Sequence, residues 1–410
     1  MSRIRRRGPW LPGALALLAL LTGPDAAAQP VEPIGQVTPM PLVGDHAVWV
    51  PDLIFGHSVL YDGDTGEVMA SVDAGTTLSP KPPLYSPERD EFYAVEIDYS
   101  RGRRGDRTDY VTIYDAKTLA IAGEVVLPTR TSESAASLGY AALLDGGRFL
   151  ATFNQFPNTS VSIVDLAARR FVGEIVTSGC AGIYPTGDQS FAMLCGNGSV
   201  LAVDLDENGA KRDMRASETF FDVIEDPLMM AGGRVGSRWV FPTFAGRVFE
   251  IDFAEQTPAI ESWWLSSDAE RASGWRPGGR QMAALHAKSG RFYVAFHQGE
   301  AGSHKEPGPE VWVFDLARRE RVGRFEMPNF TAAFLGGRIG VEGGFAGFLL
   351  DALLPGGGAD TIAVSQDDAP LLFARNSQLG AVAVLDAETG EHLRNLFEAG
   401  LAGMRLEVAR

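Results

Sequence analysis

Cysteine, histidine and long apolar runs are scarce in this sequence of 410 residues. Its six histidines are scattered, and none has HExxH or another metal-ligand spacing. No GxSxG motif and no Ser/His/Asp arrangement stands out. The glycine-rich stretch 336–340 lacks the lysine and the strand-turn-helix context of a phosphate-binding loop. The sequence therefore reveals no complete metal-binding site, nucleophilic active site or nucleotide-binding site.

One apolar run, at residues 14–21, lies near the N-terminus and predicts export. Four arginines precede it, and Ala26-Ala27-Ala28 supplies small residues for cleavage before Gln29. We expect a signal peptide at residues 1–28 and a periplasmic mature protein. No later stretch reaches the roughly 18 apolar residues that a membrane helix needs, so no membrane span is expected.

Basic residues are outnumbered by acidic ones. The formal net charge of −16 becomes −19 for the mature chain, because the signal peptide takes away four arginines and one aspartate. So negative a chain disfavours nucleic acid as a partner.

The two cysteines, Cys180 and Cys195, both follow the predicted signal peptide. In an oxidising compartment a disulfide is favoured over free thiols or a metal-binding pair. Closing a loop of this size stabilises a protein by about 3 kcal/mol in the chain-entropy model.

A short β-type run that stops at an aspartate recurs along the whole chain. The spacing between successive aspartates is 39 to 71 residues, in the range of propeller repeats. The polar turn and second apolar stretch after most of these runs predict a hairpin between the last two strands of each blade. We interpret the aspartates as turn residues without chemistry. They are Asp62, Asp115, Asp165, Asp204, Asp252, Asp315 and Asp386.

The repeat predicts an all-β fold, a seven-bladed β-propeller with four antiparallel strands in each blade. We expect an extended lead-in at residues 29–45 and the propeller at residues 46–410. Residues 46–50 are predicted to form a strand that helps to close the ring against the last blade.

Two segments depart from the repeat. Residues 98–110 carry four arginines, which indicates either a solvated loop or a loop that docks a partner. Residues 329–358 form an apolar, glycine-rich insertion. Such an insertion leaves an exposed patch unless a partner covers it or it folds back on the chain.

Several segments together resemble the heavy subunit of the periplasmic quinoprotein amine dehydrogenases, the methylamine and aromatic amine dehydrogenases. The resemblance runs from about residue 45 to the C-terminus, and its most specific element is Gly274-Trp275-Arg276-Pro277-Gly278-Gly279. The other matching segments are residues 106–111, 184–186, 241–246, 251–252, 270–272, 304–305, 364–367 and 370–372.

The resemblance implies a propeller that pairs with a small, disulfide-rich light subunit in a two-plus-two complex. In that family the light subunit carries tryptophan tryptophylquinone, formed from two of its own tryptophans, and the heavy subunit binds no cofactor. The complex oxidises a primary amine to an aldehyde and ammonia, and electrons pass to a blue-copper protein such as amicyanin or azurin. The tryptophans of this chain are accordingly interpreted as core residues. The family's heavy chain also has a cysteine pair where Cys180 and Cys195 fall.

Phe55 corresponds by position to the family's heavy-chain phenylalanine that walls the substrate channel. Strand alternation alone favours a blade-core aromatic at this position, and the resemblance reverses that preference. No catalytic or metal-binding residue is assigned to this chain.

An alternative is a non-catalytic periplasmic propeller that binds or scaffolds other proteins without a light chain. A propeller that uses pyrroloquinoline quinone or a central metal is disfavoured, since neither an adjacent cysteine pair nor a cluster of histidines and acids is found.

Overall fold

The computed structural model describes residues 39–73, 81–133, 138–339, 344–354, 356–397, 400, 403 and 405–409. The predicted signal peptide and residues 29–38 of the lead-in lie outside the described residues.

Strands dominate the described chain, which also holds a 3-10 helix at Leu138–Tyr140 and three α-helices. The helices are α1 Asp268–Ala272, α2 Phe330–Ile339 and α3 Gly344–Leu353. In chain order the strands are β1 Ala47–Asp52, β2 His57–Asp62, β3 Val68–Asp73, β4 Leu84–Ser86, β5 Glu91–Tyr99, β6 Arg107–Asp115, β7 Ile121–Leu127, β8 Arg130–Thr131, β9 Ala141–Leu144, β10 Phe149–Phe156, β11 Ser160–Asp165, β12 Arg170–Val176, β13 Cys180–Gly187, β14 Ser190–Cys195, β15 Val200–Leu205, β16 Lys211–Ala216, β17 Gly233–Val235, β18 Arg238–Pro242, β19 Arg247–Asp252, β20 Ala259–Trp264, β21 Trp275–Pro277, β22 Ala283–His286, β23 Arg291–Gln298, β24 Glu310–Asp315, β25 Glu320–Glu326, β26 Thr361–Val364, β27 Leu371–Arg375, β28 Val382–Asp386, β29 His392–Leu396 and β30 Glu407–Val408.

These strands form seven antiparallel sheets, which are the blades of a propeller, and the predicted fold class is confirmed. We number the blades 1 to 7 along the chain, so that blade 1 contains β1–β3, blade 2 β4–β7, blade 3 β8–β12, blade 4 β13–β16, blade 5 β17–β20, blade 6 β21–β25 and blade 7 β26–β29. The innermost strands contact those of neighbouring blades around the axis. In blades 3 and 6 the innermost strand is interrupted, since β8 and β9 both pair with β10, and β21 and β22 both pair with β23.

Burial follows the position of a strand within its blade. The third strand of blade 5, β19, is buried along most of its length, because neighbouring blades cover both faces of its sheet. The outermost strand of blade 4, β16, is largely exposed at the rim. The middle strands therefore read as continuous apolar runs, which is why the repeat is visible in the sequence.

The seven repeated aspartates lie at or next to the end of the third strand of each blade. In six of them a carboxylate oxygen accepts backbone N–H groups of the following turn. Asp204 is the exception, because it pairs with Arg215 at 2.6 Å while Asp206 accepts the N–H groups of the turn. The interpretation as turn residues holds for the other six.

The C-terminal strand closes the ring. Val408 pairs with Val48 and Glu407 with Trp49, so β30 becomes the innermost strand of blade 1. The predicted strand at residues 46–50 is present as β1, and its partner in closure is this short C-terminal strand.

Candidate functional site

The direction of the strands divides the turns between the two faces of the ring. Successive turns of an antiparallel sheet lie at opposite ends of its strands. The turns between the second and third strands, including β1–β2 at residues 53–56, therefore share one face with the connections between blades. We call this the upper face. The turns that begin at the repeated aspartates lie on the opposite, lower face.

Phe55 lies in the β1–β2 turn, with its side chain 75% exposed. Asp52 Oδ1 accepts the backbone N–H groups of Ile54 (2.7 Å) and Phe55 (3.0 Å). Gly56 has a positive φ of 72° and donates its N–H to the Asp52 carbonyl. The phenyl ring of Phe55 is thus presented to solvent by a turn with a fixed backbone. This exposure rules out a blade-core position for Phe55.

Within the insertion at residues 329–358, the described residues form α2 and α3, between the outermost strand of blade 6 and the innermost strand of blade 7. Asn329 starts α2, because its Oδ1 accepts the N–H of Ala332 (3.0 Å). Its Nδ2 donates to the carbonyl of Leu354 at 3.0 Å, just beyond the end of α3. One side chain therefore joins the start of the first helix to the end of the second.

Only part of the insertion is packed against the propeller. Phe330 is buried. Gly357 lies between Phe330 and Leu379 of the β27–β28 turn, since a Cβ at Gly357 would contact both side chains. That turn belongs to the upper face, so the insertion helices lie there as well. Among the described side chains of these helices, five large apolar ones are exposed, namely Leu335, Ile339, Phe345, Leu349 and Leu353. The upper face thus carries a second apolar region in addition to the Phe55 turn.

The arginine-rich segment also lies on the upper face, in the turn between β5 and β6. Arg101, Arg103 and Arg104 are exposed. Arg107 is not part of the solvated turn, because its guanidinium is buried against Asp109 (2.7 Å) and Glu133. The segment therefore combines an exposed basic tip with a buried structural ion pair.

The buried cations Lys81 and Arg405 make contacts inside the propeller. Lys81 donates to the carbonyl of Ser132 at 2.5 Å, and burial together with the charge of Arg405 lowers its pKa to about 7. The Arg405 guanidinium lies 4.5 Å from the ring centre of Tyr140. The first contact joins blade 2 to blade 3, and the second joins the C-terminal segment to blade 3.

Two of the histidines, His297 and His304, make contacts within the propeller. His297 Nε2 lies 2.8 Å from Ser303 Oγ, and the His304 ring stacks on Phe244 with centres 3.6 Å apart. Burial lowers the pKa of both imidazoles. Within the described ranges, no group of three or more His, Cys, Asp or Glu side chains is placed to hold a metal ion.

The tryptophans of blade 6 are core residues. The rings of Trp275 and Trp312 lie 5.3 Å apart, and Trp312 is stacked on Phe296 at 3.9 Å. The Arg324 guanidinium covers both indoles. The Trp275–Trp312 pair is therefore held by packing.

The Gly-Trp-Arg-Pro-Gly-Gly segment has a structural explanation. It contains β21, one of the two pieces of the innermost strand of blade 6. A side chain at Gly278 would collide with the His297 ring, and Gly279 has a φ of 127° against the Asp360 backbone. Only glycine fits at these two positions.

The disulfide is present. Cys180 and Cys195 face each other across β13 and β14 of blade 4, and their sulfur atoms are bonded. The disulfide expected from the sequence is therefore confirmed. No helix in the described part of the chain is long and apolar enough to span a bilayer.

Solved structures similar to this chain share its fold. A dihydro-heme d1 dehydrogenase, NirN, is 16% identical with a TM-score of 0.53, covering 91% of this chain and 77% of that one. A putative 6-phosphogluconolactonase from Bacteroides fragilis is 10% identical with a TM-score of 0.54, covering 92% and 99%. At such low identities the likeness concerns the fold alone.

Sequence relatives are more specific. The methylamine dehydrogenase heavy chain of Methylorubrum extorquens is 29% identical over 350 residues, which cover 83% of this chain and 76% of that protein. That of Paracoccus versutus is 28% identical over 345 residues, covering 83% and 72%. The family model described as methylamine dehydrogenase heavy chain matches residues 51–332. With more than half of its length matched by this model, the chain belongs to the methylamine dehydrogenase heavy chain family.

Proposed function

We propose that this chain is the heavy subunit of a periplasmic, tryptophan tryptophylquinone-dependent amine dehydrogenase. The complex would oxidise a small primary amine to an aldehyde and ammonia and pass electrons to a blue-copper protein. A heavy chain of this family implies a light subunit as partner. The observation that carries the proposal is Phe55, a family channel position that lies exposed on a braced turn.

The quinone belongs to the partner and supplies the two-electron oxidation of the amine. This chain contributes position and shape. Its upper face seats the light subunit, and Phe55 walls the route by which the amine reaches the partner's site. An apolar wall excludes water and discriminates amines by size, where each methylene is worth about 1 to 3 kcal/mol.

The partner is tested by purifying a tagged version of this chain from the periplasm of its native host. We expect a small, cysteine-rich companion to co-purify and the pool to oxidise a primary amine with an artificial electron acceptor. A colourless, inactive protein without a companion would contradict the proposal. It would favour the alternative of a scaffold propeller.

The channel role is tested by Phe55→Ala in the purified complex. Loss of the ring should change the ratio of kcat/KM for a short amine to that for a bulkier amine by about tenfold, because a size filter has been removed. Phe156→Ala is the matched control, since Phe156 is 62% exposed at the upper end of β10 in blade 3. An unchanged kcat/KM ratio in Phe55→Ala would show that Phe55 does not wall the channel.

A further inference from the structure

Arg375 is a buried cation close to the Phe55 turn. It ends β27 in blade 7 and is 0% exposed. Its Nη1 donates to the carbonyl of Pro51 (3.2 Å), the residue before Asp52, and its Nη2 donates to the carbonyl of Gly400 (2.9 Å). The planar guanidinium therefore joins the last blade, the end of β1 and the C-terminal segment.

Two glycines let the C-terminal segment lie directly against the base of this turn. Gly400 has a φ of 63°, and a Cβ there would lie 2.7 Å from the Cβ of Asp52. A Cβ at Gly403 would collide with the Pro51 carbonyl and with Nη1 of Arg375. Because no side chain fits in either gap, the backbone at Gly400 and Gly403 lies directly against the base of a turn that is far from it in sequence.

Electrostatic attraction between Arg375 and two aspartates adds to these contacts. Asp52 and Asp360 are each only 3% exposed. Burial lowers the pKa of Arg375 to about 10, while the charges of Asp360 and Asp52 act in the opposite direction and favour the cation. Asp360 is held in turn by the Ser377 N–H (3.0 Å) and the Thr361 hydroxyl (3.1 Å). A neutral residue at position 375 would leave two buried carboxylates without their cation.

We propose that Asp52 and Arg375 are positioning residues that hold Phe55 in its orientation and thereby set amine selectivity, an inference that rests on the proposed function. Arg375 fixes the end of β1 through the Pro51 carbonyl. Asp52 fixes the turn through the N–H groups of Ile54 and Phe55. The contacts that close the ring therefore also orient the channel wall, although Arg375 and Pro51 are 324 residues apart.

The test measures the kcat/KM ratio for a short and a bulkier amine in the purified complex. Asp52→Ala and Arg375→Met should shift this ratio in the same direction as Phe55→Ala. Asp52→Asn keeps an oxygen acceptor for the turn, and it should retain the wild-type ratio. Arg375→Lys keeps the charge with a single donor head, and it should fall between Arg375→Met and wild type.

A double substitution separates positioning from general damage. If Arg375 acts through Phe55, Arg375→Met should not change the ratio further in the Phe55→Ala background. Arg394→Met is the matched control, because Arg394 also links blade 7 to blade 1, by donating to the Gly63 carbonyl at 2.6 Å on the lower face. It should lower thermal stability and leave the amine ratio unchanged.

The inference is overturned if Asp52→Ala and Arg375→Met keep the wild-type ratio while Phe55→Ala shifts it, or if their effects add to that of Phe55→Ala. An unshifted ratio in Phe55→Ala itself would instead overturn the proposed channel role. Should Arg375→Met fail to accumulate, Asp52→Ala against Asp52→Asn decides the question.

Discussion

Glu96 is a carboxylate inside blade 2, with its side chain 6% exposed. The Thr112 hydroxyl and the Tyr114 phenol donate to it, the latter at 3.2 Å. Burial raises the pKa of Glu96 to about 7, and these two hydrogen bonds oppose part of the rise. Between its ordinary pKa of 4.5 and about 7, the unfolded chain releases this proton while the folded chain retains it. Glu96 therefore reduces the free energy of unfolding as the pH rises through this window.

Glu96→Gln should remove this pH dependence. At pH 8 the variant should be more stable than wild type by about 1 to 3 kcal/mol, since one pKa unit corresponds to roughly 1.4 kcal/mol. At pH 4.5 it should show no gain. Urea unfolding at both pH values measures the difference, with Glu124→Gln on the exposed strand β7 as control. Parallel pH profiles for Glu96→Gln and wild type would contradict this account.

The role of a residue could be predicted from the sequence where its cause is local. The turn role of Asp62 or Asp386 follows from hydrogen bonds within three residues. Arg375 was missed, because its contacts come from segments that meet only when the ring closes. Asp52 was missed although its hydrogen bonds to the turn are local. A hint for Asp52 was present, since an aspartate that precedes a turn often accepts its N–H groups.

Blade 4 is stabilised by the disulfide between two of its strands. Cys180 begins β13 and Cys195 ends β14, so the disulfide lies across the open end of this hairpin. The two cysteines are 15 residues apart in the sequence. The bond limits the unfolded chain more than it alters a blade that is already paired.

Replacing both cysteines by serine should lower the free energy of unfolding by about 3 kcal/mol in the chain-entropy model while the propeller still forms. Thermal unfolding of the variant and of wild type, each with and without a reductant, measures the loss. The reductant should destabilise wild type alone. Equal stabilities of variant and oxidised wild type would show that the disulfide contributes nothing.

The strands were predictable as elements, and the insertion helices were not. Each third strand is an apolar run that ends in a turn signal, which repeats throughout the chain. Residues 329–358 are apolar and rich in glycine, a composition from which periodicity cannot separate helix from strand. The sequence therefore predicted the position of the insertion and its apolar nature, but not α2 and α3.

Ring closure is a property of the whole molecule. The sequence pointed to β1 as a closing strand, but β30 has only two residues and carries no pattern to detect. On the lower face, His46 Nδ1 lies 2.8 Å from Asp64 of blade 1, and Nε2 lies 3.2 Å from Asp367 of blade 7. Burial opposes the charged imidazole, yet the two carboxylates raise the pKa of His46 above 6.5.

His46 should stabilise the closed ring in acid more than in base. A raised pKa means that the added stability is fully present below pH 6.5 and disappears as the pH rises through the folded-state value. We expect His46→Gln to cost about 1 kcal/mol at pH 5.5 and less at pH 8.5. Thermal unfolding at both pH values tests this, with the exposed His392→Gln as control. A loss of equal size at both pH values would contradict the assignment.

We infer that this chain is the structural subunit of an amine dehydrogenase whose redox group lies in the companion subunit. The most direct measurement is the intact mass and visible absorbance of each chain after the active complex is denatured and its subunits are separated. We predict that this chain has the mass of the unmodified mature sequence with one disulfide, and that the quinone absorbance follows the small subunit. A chromophore or a covalent modification on this chain would contradict the account.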